Sequence, residues 1–323
     1  MMKRFIAMLL TVGILMSGCF LFASCNTMKP NNSESMSETT VPTTAATTQK
    51  AEEPKEPPVT LKILSQNVRY CDDDEGTVEE RSLRFEALVS DHLPDIIGVQ
   101  EATNKWVQRL KQLDGYAFVG VSRNGESSTS GEWSAILFRE DRFTLRDSGT
   151  FWLTPTPDKV STTSGANCRR ICTWAELVDK QTGKTLIMAN THLDHANDAV
   201  RTEQAIYLFI HLKVKLGDRY AQCPVYLTGD FNCVKGSAPY KHIVKEMGFT
   251  DSHSVAEKDL STVKGSYHGY SNLDREIDFC FFKGADRVLT YEIISKDYAG
   301  EGESTPGFVS DHYGVMATFV STE

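Results

Sequence analysis

The run Pro224-Val225-Tyr226-Leu227-Thr228-Gly229-Asp230-Phe231-Asn232 is apolar up to a glycine and then presents a carboxylate and a carboxamide one residue apart. Such a run fits a buried strand that delivers polar groups at its carboxyl end. Residues two apart on an extended chain point to one side, so Asp230 and Asn232 can address one substrate atom while Phe231 turns back into the core. The stretch also has a plainer reading, because Asp and Asn after glycine are ordinary turn formers. Other strand ends along the chain decide between the two.

They repeat the pattern. Leu61 to Asn67 reads as a strand ending in a carboxamide, and Asp95 to Glu101 as a buried strand ending in a carboxylate. Leu186 to His195 runs apolar and ends Asn190-Thr191-His192-Leu193-Asp194-His195, and Ile277 to Phe282 carries Asp278 at its start. Ser310-Asp311-His312 opens the last strand, Val315 to Val320. Glu132 follows the small, polar loop Ser122 to Gly131 and precedes the strand Trp133 to Arg139. Arg170 shares a strand face with Cys172 and Trp174, and a buried or groove-lining arginine needs an anion. Between these strands, Arg81 to Leu93 and Ala199 to Leu216 have helical periodicity. Polar residues gathered at so many strand ends describe a site.

The remaining sequence bounds where this domain lies. Lys3-Arg4 precede an apolar stretch from Phe5 to about Ser24, an export signal, and Cys19 and Cys25 follow small residues in the manner of bacterial lipoprotein signals. Residues 26–58 are rich in Ser, Thr and Pro with almost no large apolar side chain, and read as a disordered tether. The expected organisation is therefore a signal over 1–25, a tether over 26–58 and one domain over 59–323. The six cysteines from Cys71 onward show no disulfide framework or zinc spacing and read as free thiols. A formal net charge of -9 argues against a broad basic surface, though not against a local cationic groove.

The motifs Gln66-Asn67, Gln100-Glu101, Asn190-Thr191-His192-Leu193-Asp194, Gly229-Asp230-Phe231-Asn232, Ile277-Asp278 and Ser310-Asp311-His312 occur in an order that resembles the endonuclease/exonuclease/phosphatase superfamily. That group includes deoxyribonucleases, base-excision endonucleases, neutral sphingomyelinases and inositol-phosphate phosphatases. The likeness covers nearly all of Val59 to Thr322 and is nearest to a secreted or lipoprotein bacterial branch. It implies a four-layer α/β sandwich of two packed mixed β-sheets flanked by helices, with the site along one edge of both sheets. Where many relatives of that branch carry Gly-Trp-Asp, this chain reads Ser164-Gly165-Ala166-Asn167-Cys168, which removes an expected aromatic wall.

The resemblance further implies hydrolysis of a phosphate ester with Mg2+ or Mn2+, ions that favour carboxylate, amide and water oxygens. Glu101 with Asn67, joined by Asp311, is the expected ligand set. Asp230 and Asn232 are expected at the attacking water and the phosphate, with His312 oriented by Asp278 and His192 oriented by Glu132. Arg170 is the candidate for anion stabilisation, and His268 and Trp152 are candidates for lining the pocket. The expected activity is an exported phosphodiesterase or phosphatase acting on a small or lipid-linked phosphate ester. An extracellular nuclease and a non-catalytic binding module on the same fold are the alternatives, and no protein partner is readable. If a lipidated cysteine anchors the chain, full-length protein partitions into detergent and a variant lacking the residues before Asn26 does not. An unmodified, uncleaved N-terminus by mass spectrometry would contradict this expectation.

Overall fold

In the computed structural model the described residues are 59–284, 286–299 and 307–321, so the expected signal, lipidated cysteine and tether lie outside them. The described residues all belong to one unit by their internal contacts. Among the described residues, thirteen strands build two mixed sheets. The strands in chain order are β1 (Thr60–Asn67), β2 (Ile96–Ala102), β3 (Tyr116–Val119), β4 (Trp133–Arg139), β5 (Phe143–Trp152), β6 (Ile171–Asp179) and β7 (Thr185–His192). They continue with β8 (Val225–Asp230), β9 (Thr250–Asp251), β10 (Lys258–Asp259), β11 (Asp278–Lys283), β12 (Asp286–Ile294) and β13 (Gly314–Ser321). One sheet has the order β10-β12-β13-β1-β2-β4-β3 and the other β5-β6-β7-β8-β11-β9.

The alternation of side chains along each strand sets the layers. Ile63, Ile96, Ile136, Val315 and Phe319 from the first sheet meet Leu177, Met188, Tyr226, Cys280 and Phe282 from the second in one apolar cluster. The opposite faces pack on helices. Helices α1 (Val78–His92) and α2 (Asn104–Leu110) cover the first sheet through Phe85, Leu88 and Trp106. Helix α3 (Asp198–Leu216) covers the second through Leu208, Leu212 and Leu216. This is the four-layer sandwich expected from the sequence. Helix α1 starts at Val78, before the expected Arg81, because Thr77 and Glu80 form a capping box: the Thr77 N–H donates to Glu80 Oε2 at 2.8 Å and the Glu80 N–H to Thr77 Oγ1 at 3.2 Å. Strands β5 and β12 are not foreseen by the sequence reading. Each carries a register shift against its partner, which breaks the two-residue period that the reading relies on.

Topology brings the polar residues to one edge. Strands β1 and β2 run parallel, as do β7 and β8, so Asn67, Glu101, His192 and Asp230 lie at carboxyl ends. Strands β4, β6, β11 and β13 run antiparallel to these neighbours, so the residues at or just before their starts, Glu132, Arg170, Asp278 and His312, arrive at the same edge.

Just beneath that edge the two sheets are joined by a buried amide. Asn190 of β7 donates from Nδ2 to the carbonyls of Val99 at 2.9 Å and Ala135 at 2.8 Å. Its Oδ1 accepts from Gln100 Nε2 at 2.7 Å and Thr228 Oγ1 at 3.1 Å. Gly98 makes room for this junction: a Cβ there would stand 2.0 Å from Thr228 Oγ1 and 2.8 Å from Asn190 Oδ1. The six cysteines of the domain are all free, with Cys71, Cys168 and Cys223 only partly buried.

Candidate active site

The site is organised around the carboxylate of Asp230, which is almost wholly buried. Its Oδ1 accepts from the Asn232 N–H at 2.8 Å, and its Oδ2 from Asn67 Nδ2 at 3.1 Å. His192 Nε2 lies 3.4 Å and His312 Nε2 3.8 Å from that same Oδ2. Two residues reach the centre through left-handed backbone, Glu101 at φ 62° and Asn232 at φ 49°. Asn adopts this region readily, whereas for Glu it is strained, and such strain concentrates where a side chain must be aimed. At Glu101 it coincides with an irregularity in the pairing of β2 with β4, between Val99 and Ala102. The Glu101 carboxylate then accepts from Asn67 Nδ2 at 3.1 Å and from the Tyr70 N–H at 3.1 Å.

The two histidines have opposite surroundings. His312 Nδ1 lies 2.8 Å from Asp278 Oδ2. Burial opposes its charge, but Asp278, then Asp230 and Asp311, outweigh that penalty and raise the imidazolium to about 10. His192 is also buried, and burial followed by the nearby Arg170 pushes it well below the ordinary histidine range. Burial, with the charge of Asp278 next, raises Asp230 to about 7. A charged His312, a neutral His192 and a carboxyl poised near neutrality are titratable groups driven apart by their environments, the arrangement that divides acid from base. Asn232 Nδ2 joins the set, 3.0 Å from both His192 Nε2 and the Leu193 carbonyl.

Residues 64–312 match the model of the Endonuclease/Exonuclease/phosphatase family. The chain belongs to that family. An endonuclease/exonuclease/phosphatase from Bacteroides vulgatus is 30% identical, with 82% of this chain and 100% of that one covered at a TM-score of 0.73. A mannosyl-6-phosphatase from Bacteroides thetaiotaomicron is 28% identical, with 80% of this chain and 99% of that one covered at a TM-score of 0.75. The human Nocturnin catalytic domain shares the fold at 21% identity, with coverage of 81% and 95% and a TM-score of 0.61. No curated protein sequence matches the chain. Members of the endonuclease/exonuclease/phosphatase family are metal-dependent phosphoric ester hydrolases, and this chain is one of them.

The family's divalent ion fits the residues present. Ligand atoms of Glu101, His192 and Asp230 lie within 4.8 Å of one another, as do those of Asp230, Asp278 and His312. Asp278 Oδ1 and His192 Nδ1 are buried without a hydrogen-bond partner. Two carboxylates facing one space, Glu101 and Asp230, suit a hard divalent cation.

Several expected roles are redistributed. Asn67 turns its Nδ2, not its oxygen, toward Glu101 and Asp230, while its Oδ1 accepts from the Arg69 N–H at 2.9 Å. It therefore holds the Glu101 carboxylate in place through its amide N–H. Asp311 stands apart from the two clusters, its Oδ2 2.5 Å from Arg69 Nη1. Glu132 does not orient His192: it forms a two-point ion pair with Arg123, at 2.8 Å through each oxygen, because that loop arginine lies closer. Arg170 is buried, its Nη1 4.0 Å from Glu132 and its Nε 3.9 Å from Asp194 without a hydrogen bond.

His268 is a structural residue rather than pocket lining. Its Nδ1 accepts from the Tyr270 N–H at 3.2 Å, its Nε2 lies 3.1 Å from the Ser310 carbonyl, and its ring stacks on Tyr313 at 4.2 Å. Burial lowers it to about 4, which keeps it neutral. Trp152 is buried too and donates its indole N–H to the Arg123 carbonyl at 2.8 Å, so it braces the loop before Glu132.

Sequence reasoning missed Ser266. Its hydroxyl donates to Asp278 Oδ2 at 2.7 Å and accepts from the Asp278 N–H at 3.1 Å, which fixes the carboxylate under His312. No motif marks it, since a lone serine in a loop carries no signal of its own. Because Asp278 and His312 act through one imidazole, His312→Ala and Asp278→Asn are each expected to lower kcat/KM by on the order of 10²–10⁴, with the double variant little worse than either. Multiplicative losses in steady-state kinetics would show that the two are not a unit.

Proposed function

We propose that this hydrolase acts, after export, on a small or lipid-linked phosphate ester rather than on long duplex DNA. The observation that carries the reading is the state of the arginines around the site. Arg69 is paired with Asp311 and Asp73, Arg123 with Glu132, and Arg170 is flanked by Glu132 and Asp194. Arg169, exposed, is hydrogen-bonded to the neutral Asn124 at 3.0 Å. A duplex binder usually neutralises several successive phosphates with uncompensated Lys or Arg. With three of these four arginines set against carboxylates, the site offers one phosphate group at the centre, beside the Asp230 edge, rather than a row of free cations.

The mannosyl-6-phosphatase relative supports a small sugar phosphate among the esters considered. A bound Mg2+ or Mn2+ supplies neutralisation of phosphate charge and activation of water. Glu101, oriented by Asn67, would hold such an ion; Asp230 would take a proton from water, and the charged His312 would face the phosphate. A lipid anchor at Cys19 or Cys25 would place this activity outside the cytoplasm, tethered to the membrane. Turnover on hexose phosphates, phospholipids, sphingomyelin and plasmid DNA at matched Mg2+ tests the substrate. Release of inorganic phosphate or a lipid headgroup, with plasmid left intact, is expected. Efficient nicking of plasmid with the small esters and lipids untouched would restore the nuclease.

A further inference from the structure

An open groove leaves the site between the segments that follow β1 and β2 and the segment that leads into β4. Its inner part, about 400 Å³, is lined by Tyr70, Thr103, Asn104, Thr129, Ser130 and Gly131 among others. Its outer part, about 500 Å³, shares Asp72, Val78, Asn104 and Lys105 with the inner one and continues along α2 to Gln108. Both volumes fall in the range of ligand sites, roughly 300–1,000 Å³. The inner end adjoins the Glu101 carboxylate, to whose Oε2 the Tyr70 N–H donates at 3.1 Å. Thr103 Oγ1 donates to the Tyr70 carbonyl at 3.2 Å, so the backbone of Tyr70 is held at both polar atoms while the residue stays 53% exposed. An aromatic residue fixed by its backbone and bare to solvent beside a reaction centre is a preformed platform.

We propose that this groove is a saccharide subsite, which receives the sugar of a phosphate ester whose phosphate lies at the Asp230 edge. The proposal rests on the small-ester reading of the site and narrows it to one class of alcohol. The lining chemistry argues against the other classes. Lys105 is paired with Asp72, and Arg109 with Glu79 at 3.1 Å, so the groove offers no run of free cations to a polynucleotide backbone. Val78, the aliphatic residue of the lining, is only 3% exposed, too little surface for an acyl chain. What remains is neutral and polar: the hydroxyls of Thr129 and Ser130, and the side-chain amides of Asn104 and Gln108, to which no described residue hydrogen-bonds. Amides and hydroxyls both donate and accept, as sugar hydroxyls do, and an aromatic face suits the C–H face of a pyranose. Tyr70, Asn104 and Gln108 are specificity-determining residues in this scheme, and none touches a reacting atom.

Steady-state kinetics on a hexose 6-phosphate and on methyl phosphate at matched Mg2+ separate the groove from the phosphate site, because methyl phosphate has nothing to place in the groove. The parent is expected to favour the sugar ester in kcat/KM. Tyr70→Ala and Asn104→Ala are each expected to raise KM for the hexose phosphate about tenfold more than for methyl phosphate with kcat little altered, the pattern of lost uniform binding. Tyr70→Phe keeps the platform and is expected to keep the preference. Should Asn104→Ala, at the start of α2, not fold, Gln108→Ala on the exposed face of that helix reads the same wall of amides. Saturation-transfer NMR on metal-free protein reads binding without turnover: transfer to the sugar-ring protons of hexose 6-phosphate is expected in the parent and is expected to fall in Tyr70→Ala. Equal losses on the two esters, a parent that favours methyl phosphate or a phospholipid, or transfer that Tyr70→Ala leaves unchanged would overturn the saccharide subsite and leave the small or lipid-linked ester reading in place. A parent that nicks plasmid and turns over no small ester or lipid would overturn that reading, and the proposal with it.

Discussion

A carboxylate buried between two sheets is the constraint on which the site depends. Removing Asp230 from water disfavours its charge, and the neighbouring charge of Asp278 disfavours it further. The fold answers with donors from both sheets, Asn67 Nδ2 from the first and the Asn232 N–H from the second, and with the charged His312, at the start of a first-sheet strand, nearby. Their combined effect holds the group at about 7, below where burial and Asp278 alone would push it. A fully solvated aspartate could not be tuned in this way, and an isolated buried one would remain a neutral acid.

The same constraint explains the architecture beneath it. Donors from two different sheets can converge on one atom only if the sheets are locked in relative position near that edge. The Asn190 amide does this by hydrogen-bonding both β2 and β4 across the interface, and a glycine at position 98 lets it approach. A buried polar link of this kind is satisfied at every lone pair and proton or it is costly, which makes the alignment specific. The apolar layers supply the bulk of the burial, while the amide fixes the register between them.

The strand ends were readable because their residues recur at the carboxyl ends of parallel strands and at the starts of antiparallel ones, a pattern set by topology. The four-layer fold was implied by the family resemblance that those motifs carry, and the order of strands and helices suits it. The pairings among side chains were less readable. The direction taken by Glu101 and Asn232 depends on left-handed φ values that no residue identity announces at a glutamate. Glu132 was claimed by Arg123 across a loop whose conformation the sequence does not encode in any short pattern, and Asp311 by an arginine more than two hundred positions away. His268 and Trp152 look like pocket residues in a list of polar and aromatic side chains, but their ring nitrogens find partners in nearby backbone.

The account stands most directly on the charge of Asp230. Its folded-state value, about 7, is raised above that of an unfolded aspartate, so the stability it contributes is fully present below the unfolded value and is lost as pH rises through about 7. His312, raised to about 10, keeps its charge through that window. Thermal unfolding of metal-free protein and of Asp230→Asn, compared between pH 5 and pH 9, isolates this effect, because the hydrogen bond altered by the substitution is common to every pH. The account predicts that the parent loses Tm relative to Asp230→Asn as pH rises through about 7. Curves that stay parallel over the whole range, or a parent that gains stability relative to the variant with rising pH, would contradict it.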